Sequence, residues 1–168
     1  QFGALVAKAL VANRPVLLAK PQSFMNLSGQ PGVSLRGYYK VANEQVVVIH
    51  DDMDIEFGQV RVKKGGGHGG HNGLRDLKAR MGSEFSRIRV GVSRPPKGWD
   101  PAEYVLGNWS QEQLNQLDEV VDLAADAVET VVSSGVVEAM NRFNVRPKSA
   151  PSKDVAGSST PAVGQTDG

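Results

Sequence analysis

The chain has 168 residues, a formal net charge of +1, and 40% hydrophobic and 22% charged residues. Its length and composition are those of one soluble globular domain. The chain contains no cysteine, which excludes a disulfide scaffold, a thiolate metal site and a cysteine nucleophile. No apolar run reaches the roughly 18 residues that a membrane helix requires, so we expect no membrane partner.

Apolar runs and alternating patterns predict the strands. The first candidate, Ala4–Val11, is compatible with a strand or a helix, whereas residues 16–19 and 46–49 are short runs typical of strands. The valines at 60 and 62 alternate with basic residues, and the apolar residues at 88, 90 and 92 alternate in the same way. Both segments are therefore predicted to be strands with one solvent-exposed face.

Signals for helix starts stand at Ser28, Asn72 and Ser110. Residues 111–132 carry apolar side chains at helical spacing, which predicts a long amphipathic helix with a shorter helix, Val136–Phe143, after it. Strands that alternate with helices predict an α/β fold, with helices on both faces of a mostly parallel or mixed sheet.

A change in composition predicts the end of the domain. We expect a single globular domain over residues 1–146. Residues 147–168 are rich in Pro, Ser, Ala and Gly, and such a segment buries too little apolar surface to offset its ordering entropy. We therefore expect a disordered tail there.

Six of the nine residues from Gly65 to Gly73 are glycine, and His68, His71 and Asn72 stand among them. This many glycines cost conformational entropy, so the loop should require close backbone approach or positive φ. It joins a predicted strand to a predicted helix, which would direct backbone N–H groups at an anion or a developing oxyanion. A flexible loop without a ligand is the alternative.

The run His50-Asp51-Asp52-Met53-Asp54 follows the predicted strand at 46–49. The carboxyl ends of strands in α/β sheets open into the ligand crevice, where a carboxylate could orient a histidine or hold a metal. Oxygen ligands suit Mg²⁺, but neighbouring residues on an extended chain point to opposite faces. We therefore favour a site without metal.

Asn26, considered alone, is most simply a helix N-cap. Together with Asp51 and Asn72, each just past a predicted strand, it could face a single cleft. An asparagine amide is a neutral donor that suits an ester carbonyl or a water molecule.

Basic and acidic residues are unevenly distributed along the chain. Residues 59–98 contain ten Lys or Arg and two acids, whereas residues 99–130 contain eight acids and no base. This asymmetry is typical of an anionic partner that docks on one side, with two solvated faces as the alternative. Lys63 and Arg89 could clamp a phosphate. The whole basic group comprises Arg61, Lys63, Lys64, Arg75, Lys78, Arg80, Arg87 and Arg89.

Four blocks of the chain resemble the bacterial-type peptidyl-tRNA hydrolase family in order and spacing. They are KPQSFMNLSG at 20–29, HDDMD at 50–54, GGGHGGHNGL at 65–74 and FSRIRVG at 85–91, and the resemblance extends from about residue 2 to 144. It implies hydrolysis of the ester between a peptide and the 3′-terminal ribose of tRNA, which recycles tRNA in translation. It also implies a single α/β globule with a twisted mixed sheet and no metal or cofactor.

The resemblance also implies roles for residues of this chain. Asp51 would orient the catalytic histidine, and Asn26 and Asn72 would hold the substrate carbonyl and the attacking water. A tRNA phosphate would lie between two basic residues, and residues 100–106 would form a mobile helical cover. The cleft for the peptide and the terminal adenosine would be lined by Phe24, Met25, Gly70 and His71, and the phosphate clamp would consist of Lys63 and Arg89.

The chain departs from the family at its first residues. The family begins with a strand, a Gly-Asn-Pro-Gly turn and a Thr-Arg-His-Asn segment, whose histidine is the general base. None of the three histidines here matches that position, so we expect this sequence to lack the base and the N-terminal strand. Because a positioned base contributes roughly 10²–10⁴ in rate, we expect weak activity from the chain alone.

Two other functions remain open at this point. The first is a non-catalytic RNA-binding relative, of the kind that splices group II introns in plant organelles through a protein partner. The second is a metal-dependent phosphohydrolase that uses Asp51, Asp52 and Asp54. For the hydrolase we expect a monomer in a bacterial cytoplasm, or in an organelle if the source is eukaryotic.

Overall fold

Strands and helices alternate along residues 1–145, which are the residues that the computed structural model describes. The strands are β1 (Ala4–Val11), β2 (Arg14–Pro21), β3 (Val47–Asp52), β4 (Val60–Lys64) and β5 (Ser86–Gly91). The helices are α1 (Gly29–Tyr39), α2 (Asn72–Met81), α3 (Pro101–Val105), α4 (Gln111–Ser134) and α5 (Val136–Phe143). The predicted tail at 147–168 lies outside the described residues.

Three strands form a mixed sheet in the order β3–β5–β4. β3 runs parallel to β5, and β4 runs antiparallel to it. The predicted mixed α/β fold is therefore confirmed. β1 and β2 pair with each other in a separate antiparallel hairpin, so the ambiguous segment Ala4–Val11 is a strand. Its turn residues Ala12 and Asn13 have φ values of 48° and 59°, the left-handed conformation of a type I′ turn that matches the twist of a hairpin.

Helices cover both faces of the three-stranded sheet, as predicted. On one face α4 and α5 pack on the strands around a buried cluster of Val60, Val62, Ile88, Ala127 and Ala139. On the other face α2 packs through Leu74, Leu77 and Met81, which form a buried cluster with Phe85 from the segment before β5. This arrangement leaves the carboxyl end of β3 and the loop before α2 on the same side of the sheet.

The predicted helix starts are close to the observed ones, but their capping differs. Ser110 caps α4 in a capping box with Gln113. Ser28 precedes α1 without a side-chain cap. Asp76 of α2 instead accepts a hydrogen bond of 2.8 Å from the backbone N–H of Gly29, which ties the start of α1 to α2.

Asn144 closes the outer edge of β4. Its Oδ1 accepts from the backbone N–H of Val62 at 2.9 Å, and its Nδ2 donates to the carbonyl of Val62 at 2.8 Å. One side chain thus replaces the two hydrogen bonds that a neighbouring strand would make.

The opposite edge of the sheet, β3, borders an apolar groove of about 640 Å³ between the hairpin and α4, here called the β3 groove. Ile49 on this edge is 55% exposed. The predicted apolar stripe of α4 lies partly in this groove, because its residues Leu117, Val121, Ala124 and Val128 line the groove and Val121 is 58% exposed. The buried face of α4 is instead centred on Val120 and Ala127.

Candidate active site

A cavity of about 620 Å³ opens where β3 ends, between the glycine-rich loop and α3. Seven of the nine predicted site residues line it, and they come from five separate parts of the chain. These residues are Met25, Asp51, Lys63, Gly70, His71, Asn72 and Arg89. The fold therefore brings most of the predicted site together.

Asp51 and His71 form a hydrogen-bonded pair in this cavity. His71 is the N-cap of α2, and its Nδ1 accepts the backbone N–H of Leu74 at 3.2 Å. Because Nδ1 must carry a lone pair to accept, the ring proton lies on Nε2, which donates to Oδ1 of Asp51 at 3.1 Å. This hydrogen bond lowers the pKa of Asp51 below its ordinary value, so the carboxylate is ionised at neutral pH.

His50 supports the same pair from the other side. Its Nδ1–H donates to the main-chain carbonyl of Asp51 at 2.6 Å, and its ring meets the ring of His71 edge to face, with centroids 5.0 Å apart at 74°. Its Nε2 is buried without a partner within residues 1–145. Burial, the main cause, lowers the pKa of His50 to about 4, so this imidazole is neutral at physiological pH.

None of the three histidines presents a free lone pair to the cavity. The Nδ1 of His71 caps α2, the Nδ1 of His68 accepts the backbone N–H of Gly70 at 3.1 Å, and the Nε2 of His50 is buried. That none of the three is the general base stays a prediction.

Asn26 and Phe24 take different positions from those predicted, whereas Asn72 lies where it was expected. Asn72 lines the cavity, and its Oδ1 accepts from Arg75, so its amide nitrogen is the group that can meet a substrate oxygen. Asn26 lies on a 3₁₀ turn, Met25–Leu27, exposed and outside the cavity lining. Phe24, which is 82% exposed, also lies outside the lining. The prediction that Asp51 follows a strand was wrong, because Asp51 lies within β3, whereas Asn26 does follow β2.

The three aspartates of the 50–54 run face three different partners. Asp51 pairs with His71, Asp52 accepts from Arg89 at 2.8 Å, and Asp54 accepts from Arg94 at 2.6 Å. The carboxylates therefore diverge, as expected for neighbouring residues on an extended segment. Within residues 1–145 no cluster of three or more His, Cys, Asp or Glu side chains is arranged to hold a metal ion.

Arg87 is a structural residue and does not belong to the basic surface in which the sequence placed it. It is 3% exposed, and its guanidinium donates to the carbonyls of Gly66 and Gly67. It thus anchors the glycine-rich loop to β5. Arg87 is buried because β5 is the central strand of the sheet. The order of strands in a sheet is a nonlocal property, so the sequence pattern around Arg87 could not predict this burial.

The predicted helical cover at residues 100–106 corresponds to α3. The side chain of Asp100 caps this helix by accepting the N–H groups of Ala102 and Glu103, each at 2.9 Å. Val105 and Leu106 reach the mouth of the cavity, and the Tyr104 hydroxyl donates to the carbonyl of Val92 at 2.9 Å.

An α/β domain with an Asp–His pair, an asparagine amide and a basic wall in one cavity has the features of a hydrolytic enzyme for an anionic substrate. A family model described as peptidyl-tRNA hydrolase matches residues 1–152. The chain belongs to the peptidyl-tRNA hydrolase family.

Relatives and solved structures agree with this assignment. The chain is 46% identical over 146 residues to the peptidyl-tRNA hydrolase of Roseiflexus sp. (strain RS-1), covering 86% of this chain and 67% of the relative. It is 46% identical over 143 residues to that of Rhodococcus opacus (strain B4), covering 84% and 75%.

A crystal structure of the peptidyl-tRNA hydrolase from Acinetobacter baumannii superposes with a TM-score of 0.79 at 35% identity, covering 85% of this chain and 73% of that one. None of these relatives favours the splicing-factor alternative. Within residues 1–145 every helix is too short or too polar to cross a bilayer.

Proposed function

We propose that this chain hydrolyses the ester that joins a peptide to the 3′-terminal ribose of tRNA. The observation that carries the proposal is the ionised Asp51 paired with His71, beside Asn72, in a cavity with a basic wall. Family membership indicates the same reaction.

Each polar group in the cavity has a role that its chemistry suits. Asp51 orients an imidazole, which within residues 1–145 is that of His71. The amide nitrogen of Asn72 holds the ester carbonyl or the attacking water. Lys63, together with Arg89, attracts a tRNA phosphate, although Arg89 divides its charge between that phosphate and Asp52.

The other contacts of the substrate would lie along the cavity and its rim. Met25, Gly70 and His71 line the cavity beside the peptide and the terminal adenosine. Asn26 and Phe24, exposed on the neighbouring turn, would meet the substrate outside the cavity.

The proposal names peptidyl-tRNA as the partner and a monomer as the active form. The bacterial relatives support a bacterial cytoplasm as the location, because translation takes place there.

The test is release of an N-acetylated amino acid or peptide from its tRNA ester by the purified chain, compared with Asp51→Asn. We expect a low rate from the original chain, in keeping with the expected lack of the general base, and a still lower rate from the variant, because the carboxylate charge that orients an imidazole is lost. The tRNA affinity should stay within about twofold of that of the original chain, because the basic wall remains.

Asp118→Asn, an exposed carboxylate on α4, is the matched control and should retain the original rate. Equal rates in Asp51→Asn and the original chain would remove Asp51 from the mechanism. A folded chain that binds tRNA but releases no peptide would contradict the proposed hydrolysis.

A further inference from the structure

His50 lies against the Asp51–His71 pair, yet none of the roles proposed above uses it. It stands on β3 in register with Arg89 of β5 and borders both the cavity and the β3 groove. We propose that His50 is a positioning residue that holds Asp51 and His71 in one orientation through a separate contact with each. This inference rests on the proposed function.

The first contact fixes the backbone of Asp51. A carbonyl oxygen only accepts hydrogen bonds, so the 2.6 Å contact between Nδ1 of His50 and the main-chain oxygen of Asp51 places the ring proton on Nδ1. The contact joins neighbouring residues at the end of β3, where Asp52 is the last residue of the strand. It restrains the peptide unit from which the Asp51 carboxylate projects.

The second contact fixes the ring of His71. The two imidazoles meet edge to face at 5.0 Å and 74°, a favourable arrangement for aromatic rings. His71 is already held at Nδ1 by the N-terminus of α2 and at Nε2 by Asp51. The ring of His50 adds a third restraint, so the three residues form a closed set of contacts.

The neutral state of His50 is necessary for this role. The titratable groups that face it are Asp51 and Asp52 from its own strand, which favour its protonation, and His71 from the start of α2, which opposes it. Burial outweighs both aspartates, in agreement with the partnerless Nε2. A neutral ring supports the pair without competing with His71 for the carboxylate.

Two substitutions separate the two contacts. His50→Phe keeps a ring beside His71 but loses the Nδ1–H donor. His50→Asn keeps a donor near the position of Nδ1 but loses the ring. Val48→Ala on the same face of β3 loses packing against the α2 cluster without touching the pair, so it is the matched control for a general loss of stability.

The measurements are peptide release, resolved into kcat and KM, and the ¹⁵N chemical shifts of the His71 ring at neutral pH. We expect each His50 variant to lower kcat about tenfold or more, since a misoriented catalytic group costs up to about 100-fold, with KM within about twofold. The His71 shifts should move from a pure Nε2–H form toward a mixture of tautomers. Val48→Ala should leave kcat and the shifts unchanged.

Several outcomes overturn the inference. The inference is wrong if the ¹⁵N shifts of His71 are unchanged in both His50 variants, even if kcat falls, because His50 would then affect catalysis without orienting His71. An increase in KM without a change in kcat also contradicts it. If circular dichroism shows that His50→Phe does not fold, the measurements on His50→Asn decide whether His50 has the positioning role. If the original chain releases no peptide, the proposed function fails, and the His71 shifts alone decide the positioning role.

Discussion

His50 and Asp51 are neighbours on β3, but their protonation affects stability in different pH ranges. The pKa of His50 is lowered to about 4, mainly by burial, so the unfolded chain binds the extra proton first as the pH falls. Asp51 has a lowered pKa because of its hydrogen bond with His71. Its contribution is present above the ordinary aspartate pKa of about 4 and is lost only below it.

The first pH prediction follows for His50. The free energy of unfolding should fall by about 2–3 kcal/mol as the pH decreases from about 6.5 to about 4, because the folded state resists protonation of this ring over that interval. Urea unfolding at several pH values, compared between the original chain and His50→Asn, measures it. The variant should lack this part of the decrease. If the free energy of unfolding has the same pH dependence in both proteins over that range, the pKa of His50 is not lowered by folding.

For single residues, the sequence predicted which residues belong to the site better than it predicted the contacts that those residues make. Asp51, His71 and Asn72 lie in one cavity as predicted, because residue types suited to catalysis stand next to recognisable strand and helix signals. The buried role of Arg87 and the contacts of His50 were missed. Both depend on which strand lies at the centre of the sheet and on side-chain directions at its end, and neither is a local property.

The 3₁₀ turn Met25–Leu27 and the start of α2 interlock at Gly73. A Cβ atom at this position would lie 2.6 Å from Sδ of Met25 and 3.1 Å from its carbonyl oxygen. The absence of a side chain at Gly73 therefore allows Met25 to reach the cavity wall. This close approach explains a glycine inside a helix, where it ordinarily costs about 1 kcal/mol.

Gly73→Ala should consequently lower the free energy of unfolding by up to about 2 kcal/mol, because the overpacking cost of about 1–3 kcal/mol exceeds the roughly 1 kcal/mol that alanine gains over glycine in a helix. It should also raise KM for peptide release by displacing Met25. Urea unfolding and steady-state kinetics measure the two effects. Gly37→Ala on α1, where an added Cβ meets nothing within 4 Å, is the control and should be neutral or slightly stabilising. Equal effects of the two substitutions would refute the proposed interlock.

Element boundaries were predictable where the chain carries its own capping signal. Ser110 with Gln113 is such a signal, and α4 begins at Gln111 as expected. The start of α1 depends on Asp76, 47 residues after Gly29, and no local pattern contains that information. Ala4–Val11 was ambiguous because eight mostly apolar residues satisfy a strand or a short helix equally well, and only its pairing with β2 decides.

The separation of the hairpin from the mixed sheet is the main property of the whole molecule that sequence reasoning did not predict. A strand pattern in the sequence predicts that a segment joins a sheet, but it does not predict which other strand it pairs with. The result is the β3 groove, bordered by the exposed Ile49 and Val121 and by the hairpin residue Leu18. An exposed sheet edge beside apolar surface favours contact with apolar molecules.

We therefore expect the folded chain to bind an environment-sensitive fluorescent dye for apolar surfaces in the β3 groove. Ile49→Glu should reduce the bound fluorescence by about half or more, because it places a charge in the apolar lining. Val137→Glu removes an equally exposed valine on α5 (67% exposed) that does not line the groove, and should leave the fluorescence unchanged. Similar losses in both variants would place the dye elsewhere.

Asn144 has a consequence for the order in which the molecule is assembled. β4 obtains the partner for its outer edge from a residue 82 positions later in the chain. A polypeptide emerging from the ribosome has already produced β1 to β5 before this amide is available. Until then the Val62 backbone groups are open to water or to a neighbouring nascent chain, so the outer edge of β4 is completed only after all five of these strands have been synthesised.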